Sequence, residues 1–333
     1  WVDWLGFLCG TGQLTASYCP SITMDPSDFN VPSVSIGDLA GAQTVTRTVT
    51  NVSDETATYS FSHEGLDGVS VSAEPATFTI QPGATEEIEI RFTRTDAPMN
   101  DYVGGQITWR GDKGKDVRIP VIVTPVALAA PAEVSSDGSD ITYPVTFGYT
   151  GDFSATPRGL VPAATTDDTV ADDPTDNFTP DGQGVVSYEV TVPEGTTYAR
   201  WALFDDFVSP DGTDLDLYVY KDGEEVGASG SGTSAEEVSL VEPEPGDYTV
   251  YVHGWGVPAG TASYTLFSWL LDSTDQGNMT VTAPGSASLG DIGQVSLSFT
   301  GLEPATKYLG SVAYSGDTDG MPNPTIVEVE ETP

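Results

Sequence analysis

Short runs in which apolar and polar residues alternate recur along most of the chain. Ile88, Ile90 and Phe92 alternate with charged residues, and residues 57–62 alternate in the same way. A period of two places the two sets of side chains on opposite faces of a strand. Turn signals such as QPGA and GDKGK separate these runs. About seven strands at this spacing predict a two-sheet antiparallel sandwich over residues 25–125.

The same pattern continues beyond this first sandwich. Residues 166–272 contain a further set of strand-like runs and an Asp222-Gly223 hairpin turn. Residues 273–333 contain few strands for an independent sandwich, so we expect residues 126–165 to complete it. The segment 166–272 is then an insertion in a discontinuous domain. The acidic stretch 164–184 has no core face and is predicted to be a loop or linker.

Residues 1–24 form a lead-in with a different character. Trp1, Trp4, Leu5 and Leu8 have helical spacing, which predicts one or two helical turns packed on a partner outside this sequence. The chain opens on Trp1 with no charged segment followed by an apolar stretch, so we expect it to lack a signal peptide of its own and to be a fragment of a longer exported precursor.

Two cysteines and the charge balance constrain the environment. Cys9 and Cys19 are close enough in sequence for a local disulfide, which needs an oxidising compartment, although two free thiols are the alternative. The 333 residues include 50 acidic and 11 basic ones, a formal charge of −39. Such a chain repels nucleic acid and anionic membranes, and no apolar run predicts a membrane span, so neither is expected as a partner.

The order of several short motifs in the first 125 residues is specific. FLCG, YCP, DFNVPSVSI and TVTRTVTNVSDETATYSF follow one another, and GVSVSAEPATFTIQPGATEEIEIRF comes next. This order resembles the C-terminal part of subtilisin-like serine proteases of the plant cucumisin type and their bacterial relatives. The resemblance implies that residues 25–125 are a fibronectin-III-like sandwich and that residues 1–24 come from the end of an upstream catalytic domain.

Two later segments resemble modules of secreted peptidases. Residues 185–267, with VTVPEGTTYARWALF, DLDLYVYKDGEEV and PEPGDYTVYVHGW, resemble a bacterial pre-peptidase C-terminal domain, which implies a jelly-roll-like sandwich. GLEPATKYLGSVAYS resembles the corner of a fibronectin type III domain, which implies that the Tyr308 hydroxyl turns back to the backbone near Leu302. The predicted fold class is therefore all-β, with tandem antiparallel β-sandwiches.

Motifs for catalysis are missing from the sequence. The Gly-Thr-Ser-Met-Ala motif of the subtilisin nucleophile does not occur, and neither does the His-Glu-x-x-His motif of metalloproteases. The two histidines, His63 and His253, are predicted to be structural or surface residues. We therefore expect no catalytic residue in this chain.

Carboxylates and aromatic residues are the remaining site candidates. Calcium takes six to eight oxygen ligands, and the acids around SPDGTDLDLYVY could supply several of them. The candidate calcium ligands are Asp205, Asp206, Asp211, Asp214 and Asp216, with solvated strand-edge acids as the alternative. The candidate aromatic binding platform consists of Trp201, Trp255, Trp269, Tyr218, Tyr220 and Tyr251, with core packing as the alternative.

These observations favour one function over two others. The first hypothesis is a non-catalytic C-terminal accessory region of a secreted subtilisin-like endopeptidase, which stabilises the upstream catalytic domain of the same precursor and helps to dock a protein substrate. The second is a stand-alone adhesion module that binds polymer or protein through its aromatic faces. The third is an acidic structural spacer stabilised by calcium.

Overall fold

A computed structural model describes residues 1–11, 13, 14, 19 and 24–330 of the chain. Strands dominate, and the predicted all-β class of tandem antiparallel sandwiches is confirmed. The predicted helical lead-in is also confirmed, because α1 spans Val2–Gly10. Single turns of 3-10 helix lie at Pro26–Asp28 and Asp205–Phe207. None of the described helices has the length and apolarity to span a bilayer.

The first pair of sheets lies between residues 34 and 125. Its strands are β1 (Val34–Leu39), β2 (Ala42–Thr50), β3 (Ala57–Gly65), β4 (Val69–Glu74), β5 (Thr77–Ile80), β6 (Thr85–Arg94), β7 (Val103–Gly111) and β8 (Val117–Pro125). A five-stranded sheet has the order β1-β8-β7-β3-β5, and a three-stranded sheet has the order β2-β6-β4. Ile88, Ile90 and Phe92 are fully buried in the shared core, as their alternation predicts.

The second pair of sheets combines two stretches that are far apart in sequence. Its strands are β9 (Leu128–Ala129), β10 (Glu133–Ser136), β11 (Ile141–Phe147), β12 (Gly151–Pro162), β22 (Met279–Thr282), β23 (Ser286–Ala287), β24 (Ile292–Phe299), β25 (Lys307–Gly316) and β26 (Thr325–Glu330). The sheet orders are β10-β26-β25-β12-β23 and β22-β24-β11-β9. The Asn278 side chain accepts a hydrogen bond from Leu160 N–H at 2.7 Å and donates one to Leu160 O at 2.9 Å. The segment between Leu160 and Asn278 therefore begins and ends at neighbouring points of the second pair of sheets.

The intervening segment forms the third pair of sheets. Its strands are β13 (Ala164–Ala171), β14 (Val185–Val192), β15 (Tyr198–Leu203), β16 (Val208–Ser209), β17 (Asp214–Lys221), β18 (Glu224–Ser229), β19 (Glu236–Val241), β20 (Gly246–Gly256) and β21 (Thr261–Leu271). The sheet orders are β13-β21-β15-β19, with β16 beside β21, and β14-β20-β17-β18. Leu215, Leu217 and Val219 point into the core between them and are fully buried, as predicted.

The prediction of a loop at residues 164–184 is wrong for the first eight of these residues. Residues 164–171 form β13, which pairs with β21 in antiparallel register along its whole length. Val170 is the one buried side chain of this strand, so its alternation is too weak to read in the sequence. Main-chain pairing at the edge of an existing sheet, rather than side-chain burial, holds the strand in place.

Apolar side chains join the second and third pairs of sheets. Tyr198, Phe267 and Trp269 from the third pair form one buried cluster with Leu309 and Ile326 from the second pair. Each of these side chains is at most 7% exposed. The two pairs of sheets therefore share a packed interface.

Candidate functional site

An aromatic cluster covers the outward side of the sheet β14-β20-β17-β18. We call Phe178, Tyr218, Tyr220, Tyr251 and Trp255 the aromatic face. The rings of Phe178 and Tyr218 stack with their centroids 3.8 Å apart, and the rings of Tyr220 and Tyr251 meet edge to face at 5.4 Å. Trp255 is 41% exposed. The aromatic face therefore presents partly exposed, rigid rings beside polar groups.

His253 lies beneath the aromatic face between two buried carboxylates. Its imidazole is fully buried, and Nε2 lies 3.0 Å from Asp173 Oδ2. Its Nδ1 lies 3.4 Å from Asp216 Oδ2. Both ring nitrogens are thus engaged, so this imidazole holds the strand β20 to the segment after β13 and offers no nitrogen to a substrate.

The electrostatics of this arrangement favour a charged imidazole. Burial disfavours the imidazolium, but the hydrogen bonds to Asp216 and Asp173 prevail and raise the pKa of His253. The hydrogen bond from His253 and those from the Thr175 backbone and side chain lower the pKa of Asp173. Asp173 therefore stays ionised and fastens its own turn as well as the histidine.

Three of the five candidate calcium ligands lie at one end of the same sheet pair, and we call this end the acidic corner. Asp205, Asp206 and Asp211 line a cavity of about 320 Å³ together with Thr233 and Ser234. Asp205 Oδ1 accepts a hydrogen bond from Ser234 N–H at 2.9 Å. Among the described residues, no set of three or more His, Cys, Asp or Glu side chains has the arrangement of a preformed metal site.

Asp214 and Asp216 occupy β17 beside the acidic corner, outside the lining of its cavity. Among the residues that the structure describes, none gives the buried Asp214 Oδ1 a hydrogen bond. Burial, followed by the nearby charges of Asp216, Glu236 and Asp205, raises the pKa of Asp214. Asp216 is committed to His253 and to the Tyr218 hydroxyl, which donates to it at 3.3 Å. The five predicted acids are therefore divided between a pocket and a strand.

The prediction of an exposed aromatic platform is wrong for two of its six residues. Trp201 is fully buried in the core between the sheets, and Trp269 is 2% exposed in the interface with the second pair of sheets. Core packing, the alternative for these residues, applies to both. Tyr218, Tyr220, Tyr251 and Trp255 lie on the outward face, where Phe178 joins them.

Other predicted residues lie away from this face. The Cys9–Cys19 disulfide is present, so the prediction of a local bridge is confirmed. His63 is exposed at the end of β3. The Tyr308 hydroxyl accepts a hydrogen bond from Glu303 N–H at 2.9 Å, one residue beyond Leu302.

The first pair of sheets matches a known protein family. The family model described as "Fibronectin type-III domain" matches residues 28–123, which include all eight strands of that pair apart from the last two residues of β8. Residues 28–123 are therefore similar to this family, and we call them the fibronectin type-III domain. This domain matches the C-terminal region of subtilisin-like proteases, as the motif order predicts.

Plant proteases are among the relatives that share this fibronectin type-III domain. The chain is 34% identical over 128 residues to subtilisin-like protease SBT2.5 of Arabidopsis thaliana, covering 36% of this chain and 16% of the relative. It is 37% identical over 134 residues to subtilisin-like protease SBT5.4 of the same plant, covering 36% and 17%. The chain thus spans about a sixth of the length of these relatives.

Solved structures with similar parts include a secreted protease. The match to the secreted serine protease VesC from Vibrio cholerae covers 72% of this chain and 50% of the VesC chain, with 14% identity and a TM-score of 0.25. The CupB2 chaperone of Pseudomonas aeruginosa covers 67% of this chain, with 13% identity and a TM-score of 0.25.

Sequence reasoning missed the partners of the buried polar groups. Asp173 and Phe178 both lie in the stretch 164–184, which the sequence predicts to be a loop or linker. Glu236 is 3% exposed and accepts hydrogen bonds from Ser231 N–H at 2.6 Å and from the Ser229 hydroxyl. The signal in the sequence for a buried Asp–His pair was His253, which lies on a predicted strand in a chain rich in aspartate.

Proposed function

We propose that this chain is a non-catalytic accessory region of a secreted subtilisin-like endopeptidase. The observation that carries the proposal is the match of residues 28–123 to a fibronectin type-III domain, at 34% identity to a subtilisin-like protease. The Cys9–Cys19 disulfide supports an extracellular location, because such bonds persist in oxidising compartments. The partner is the catalytic domain of the same precursor, which the accessory region stabilises.

The helix α1 supplies the contact surface in this proposal. Trp4 and Phe7 pack against Phe29, with ring centroids 4.8 and 5.0 Å from it, which holds the helix against the fibronectin type-III domain. Trp1 and Val2 are nevertheless 92% and 64% exposed. Exposed apolar residues at the start of a helix that packs on the domain through Trp4 and Phe7 are suited to anchor a protein interface.

Binding to the separately produced catalytic domain tests this proposal. We expect the whole chain to bind it, and the variant Trp1→Ser/Val2→Ser to bind at least about tenfold more weakly, because truncating an interface anchor costs about 2 kcal/mol. The matched control is Val226→Ser, which removes an exposed apolar side chain from β18. Equal binding by all three proteins, or no binding by the unchanged chain, contradicts the proposal.

A second candidate function is substrate docking through the aromatic face. It rests on the stacked and partly exposed rings of Phe178, Tyr218 and Trp255 and on the resemblance of residues 185–267 to a pre-peptidase C-terminal domain. Retention of the chain on a protein or polysaccharide matrix, and its loss in Trp255→Ala/Tyr251→Ala, tests this role. Retention that is identical in the double variant argues against it.

Calcium binding at the acidic corner stays a proposal with a direct test. Burial, and after it repulsion from Asp216, Glu236 and Asp205, raises the pKa of Asp214, and a cation nearby would relieve the repulsion. Titration of the metal-free chain with calcium should then raise its thermal midpoint, as for any ligand that binds the folded state alone. A midpoint that neither calcium nor a chelator changes removes the proposal.

A further inference from the structure

The fibronectin type-III domain contains a cavity of about 1160 Å³ at one end of its two sheets. Its floor is formed by apolar side chains that belong to the core, namely Ala57, Phe78, Ile80, Trp109 and Ile119, each at most 8% exposed. At its mouth, Val52 and Val117 are 95% and 48% exposed. The volume lies just above that of small-molecule sites, which are typically about 300–1,000 Å³ and mostly apolar.

Positive charge is concentrated beside this cavity. Residues 110–118, at the turn between β7 and β8, hold four of the 11 basic residues of the chain and two acidic ones. This segment has a formal charge of +2 in a protein whose total charge is −39, and its two lysines line the cavity while Arg110 and Arg118 lie on the other face of the sheet. Lys113 and Lys115 line the cavity, and the turn that carries them depends on Gly114 at φ +70°.

The acidic residues of this turn are occupied by the backbone. Asp112 accepts a hydrogen bond from Thr58 N–H at 3.1 Å, and Asp116 accepts one from Gly111 N–H at 3.1 Å. Among the described residues, no carboxylate lies within 4.0 Å of the ammonium group of Lys113 or Lys115. Both lysines are thus available to an anionic group at the mouth.

The opposite wall of the cavity mouth carries negatively charged side chains. Asp54 and Glu55, on the turn between β2 and β3, also line the cavity and are exposed. An anionic head group is therefore directed towards the β7–β8 side, and a cationic one towards the β2–β3 side. The two lysines lie at this mouth without a carboxylate partner among the described residues, whereas Arg200, Lys221 and Lys307 are engaged in ion pairs elsewhere.

We propose that this cavity binds an alkyl carboxylate, with its chain over Trp109 and its head group at Lys113 and Lys115. The apolar floor removes the alkyl chain from water, at about 0.8 kcal/mol for each buried methylene group. Hydrogen bonds from two ammonium groups to a carboxylate are charge-assisted and select it over a neutral or cationic head group. This site is independent of the proposed role beside a catalytic domain.

Calorimetric titration of the whole chain with dodecanoate, below its micelle concentration, tests the site. We expect saturable binding of one dodecanoate, and binding of dodecyltrimethylammonium that is at least about tenfold weaker. The variant Lys113→Gln/Lys115→Gln should weaken dodecanoate binding by at least about tenfold, because it removes both charge-assisted hydrogen bonds.

The matched control removes the same charge from the other side of the same sheet. Arg110 and Arg118 are exposed, and alternation with Trp109 and Ile119 places them away from the cavity. Arg110→Gln/Arg118→Gln should keep dodecanoate affinity within about threefold of the unchanged chain. Absence of binding, equal affinity for both amphiphiles, or equal losses in the two double variants would overturn the proposal.

Discussion

At the scale of single residues, the buried charges of this protein are held by partners far away in sequence. His253 meets Asp173, which lies 80 positions earlier, and Asp216, which lies 37 positions earlier. Alternation along β20 correctly places His253 opposite Val250 and Val252, but it does not reveal that the segment after β13 folds over that face. The side chain is therefore fully buried on what would otherwise be the solvent side of a sheet.

Substitution of His253 should destabilise the protein strongly. His253→Leu leaves two buried carboxylates without their cationic partner, and we expect a loss of about 3 kcal/mol in the free energy of unfolding. The control is His63→Leu, because His63 is exposed and its replacement should change stability by less than about 0.5 kcal/mol. Urea denaturation of the three proteins measures both values, and equal midpoints for the two variants would contradict the assignment.

The same histidine should make stability depend on pH. Its folded pKa is raised, so its contribution is fully present below the unfolded pKa of about 6.5 and is lost as the pH rises through the folded pKa. The folded pKa of Asp173 is lowered, so its contribution is present above its ordinary pKa and is lost as the pH falls towards the folded value. Both contributions are present between about pH 4 and about pH 6.5.

Denaturation at about pH 6 and about pH 8.5 checks this sign. We expect the stability difference between the unchanged chain and His253→Leu to shrink at the higher pH, because the imidazolium is lost. A difference that is constant or that grows with pH would show that His253 is neutral in the folded protein.

At the scale of elements, the strands that alternate clearly were predictable, whereas β13, which does not alternate, was predicted to be a loop. Ile88, Ile90 and Phe92 mark β6 because every second side chain is buried in one core. β13 carries one buried side chain, and its position is fixed by main-chain pairing with β21, which no local pattern records. The paired stretches around Leu160 and Asn278 show the same limit, since their contact is set by tertiary structure.

Arg200 links strands from two pairs of sheets. Its guanidinium is 3% exposed and donates two hydrogen bonds to Glu133, at 2.9 and 2.7 Å, across the interface from β15 to β10. It also lies 3.1 Å from Glu237 and 3.9 Å from Glu328. This bidentate geometry fixes the relative position of the two strands.

Replacement of this arginine should therefore loosen the interface. Arg200→Met removes the two charge-assisted hydrogen bonds to Glu133 and leaves the partly buried Glu328 without this cation, and we expect it to lower the free energy of unfolding by about 2 kcal/mol. Arg118→Met, at an exposed position, serves as the control and should cost less than about 0.5 kcal/mol. Calorimetric melting distinguishes the two, and an unchanged midpoint in Arg200→Met would show that the apolar cluster alone holds the interface.

At the scale of the whole molecule, negative charge is the dominant feature. A formal charge of −39 on 333 residues makes the folded state repel itself at low ionic strength. The basic groups do not balance this field evenly, because four of the 11 lie in residues 110–118. The sequence reveals the charge total, while the sheet pairing decides which charges become neighbours.

Salt should accordingly stabilise the protein. Raising the salt concentration from about 0.01 M to about 1 M shortens the screening length from roughly 30 Å to roughly 3 Å. We expect the thermal midpoint to rise over this range, with sucrose at matched osmolarity as a control for exclusion effects. A midpoint that falls, or that rises equally with sucrose, would mean that self-repulsion contributes little.

The thermal inactivation of the intact protease tests the accessory role most directly. The measurement compares the half-life of peptidase activity for the catalytic domain alone and for the same domain joined to residues 1–330. A longer half-life for the joined protein, reduced again by Trp1→Ser/Val2→Ser, is the predicted result. Equal half-lives for all three proteins, or peptidase activity in residues 1–330 alone, would contradict the account.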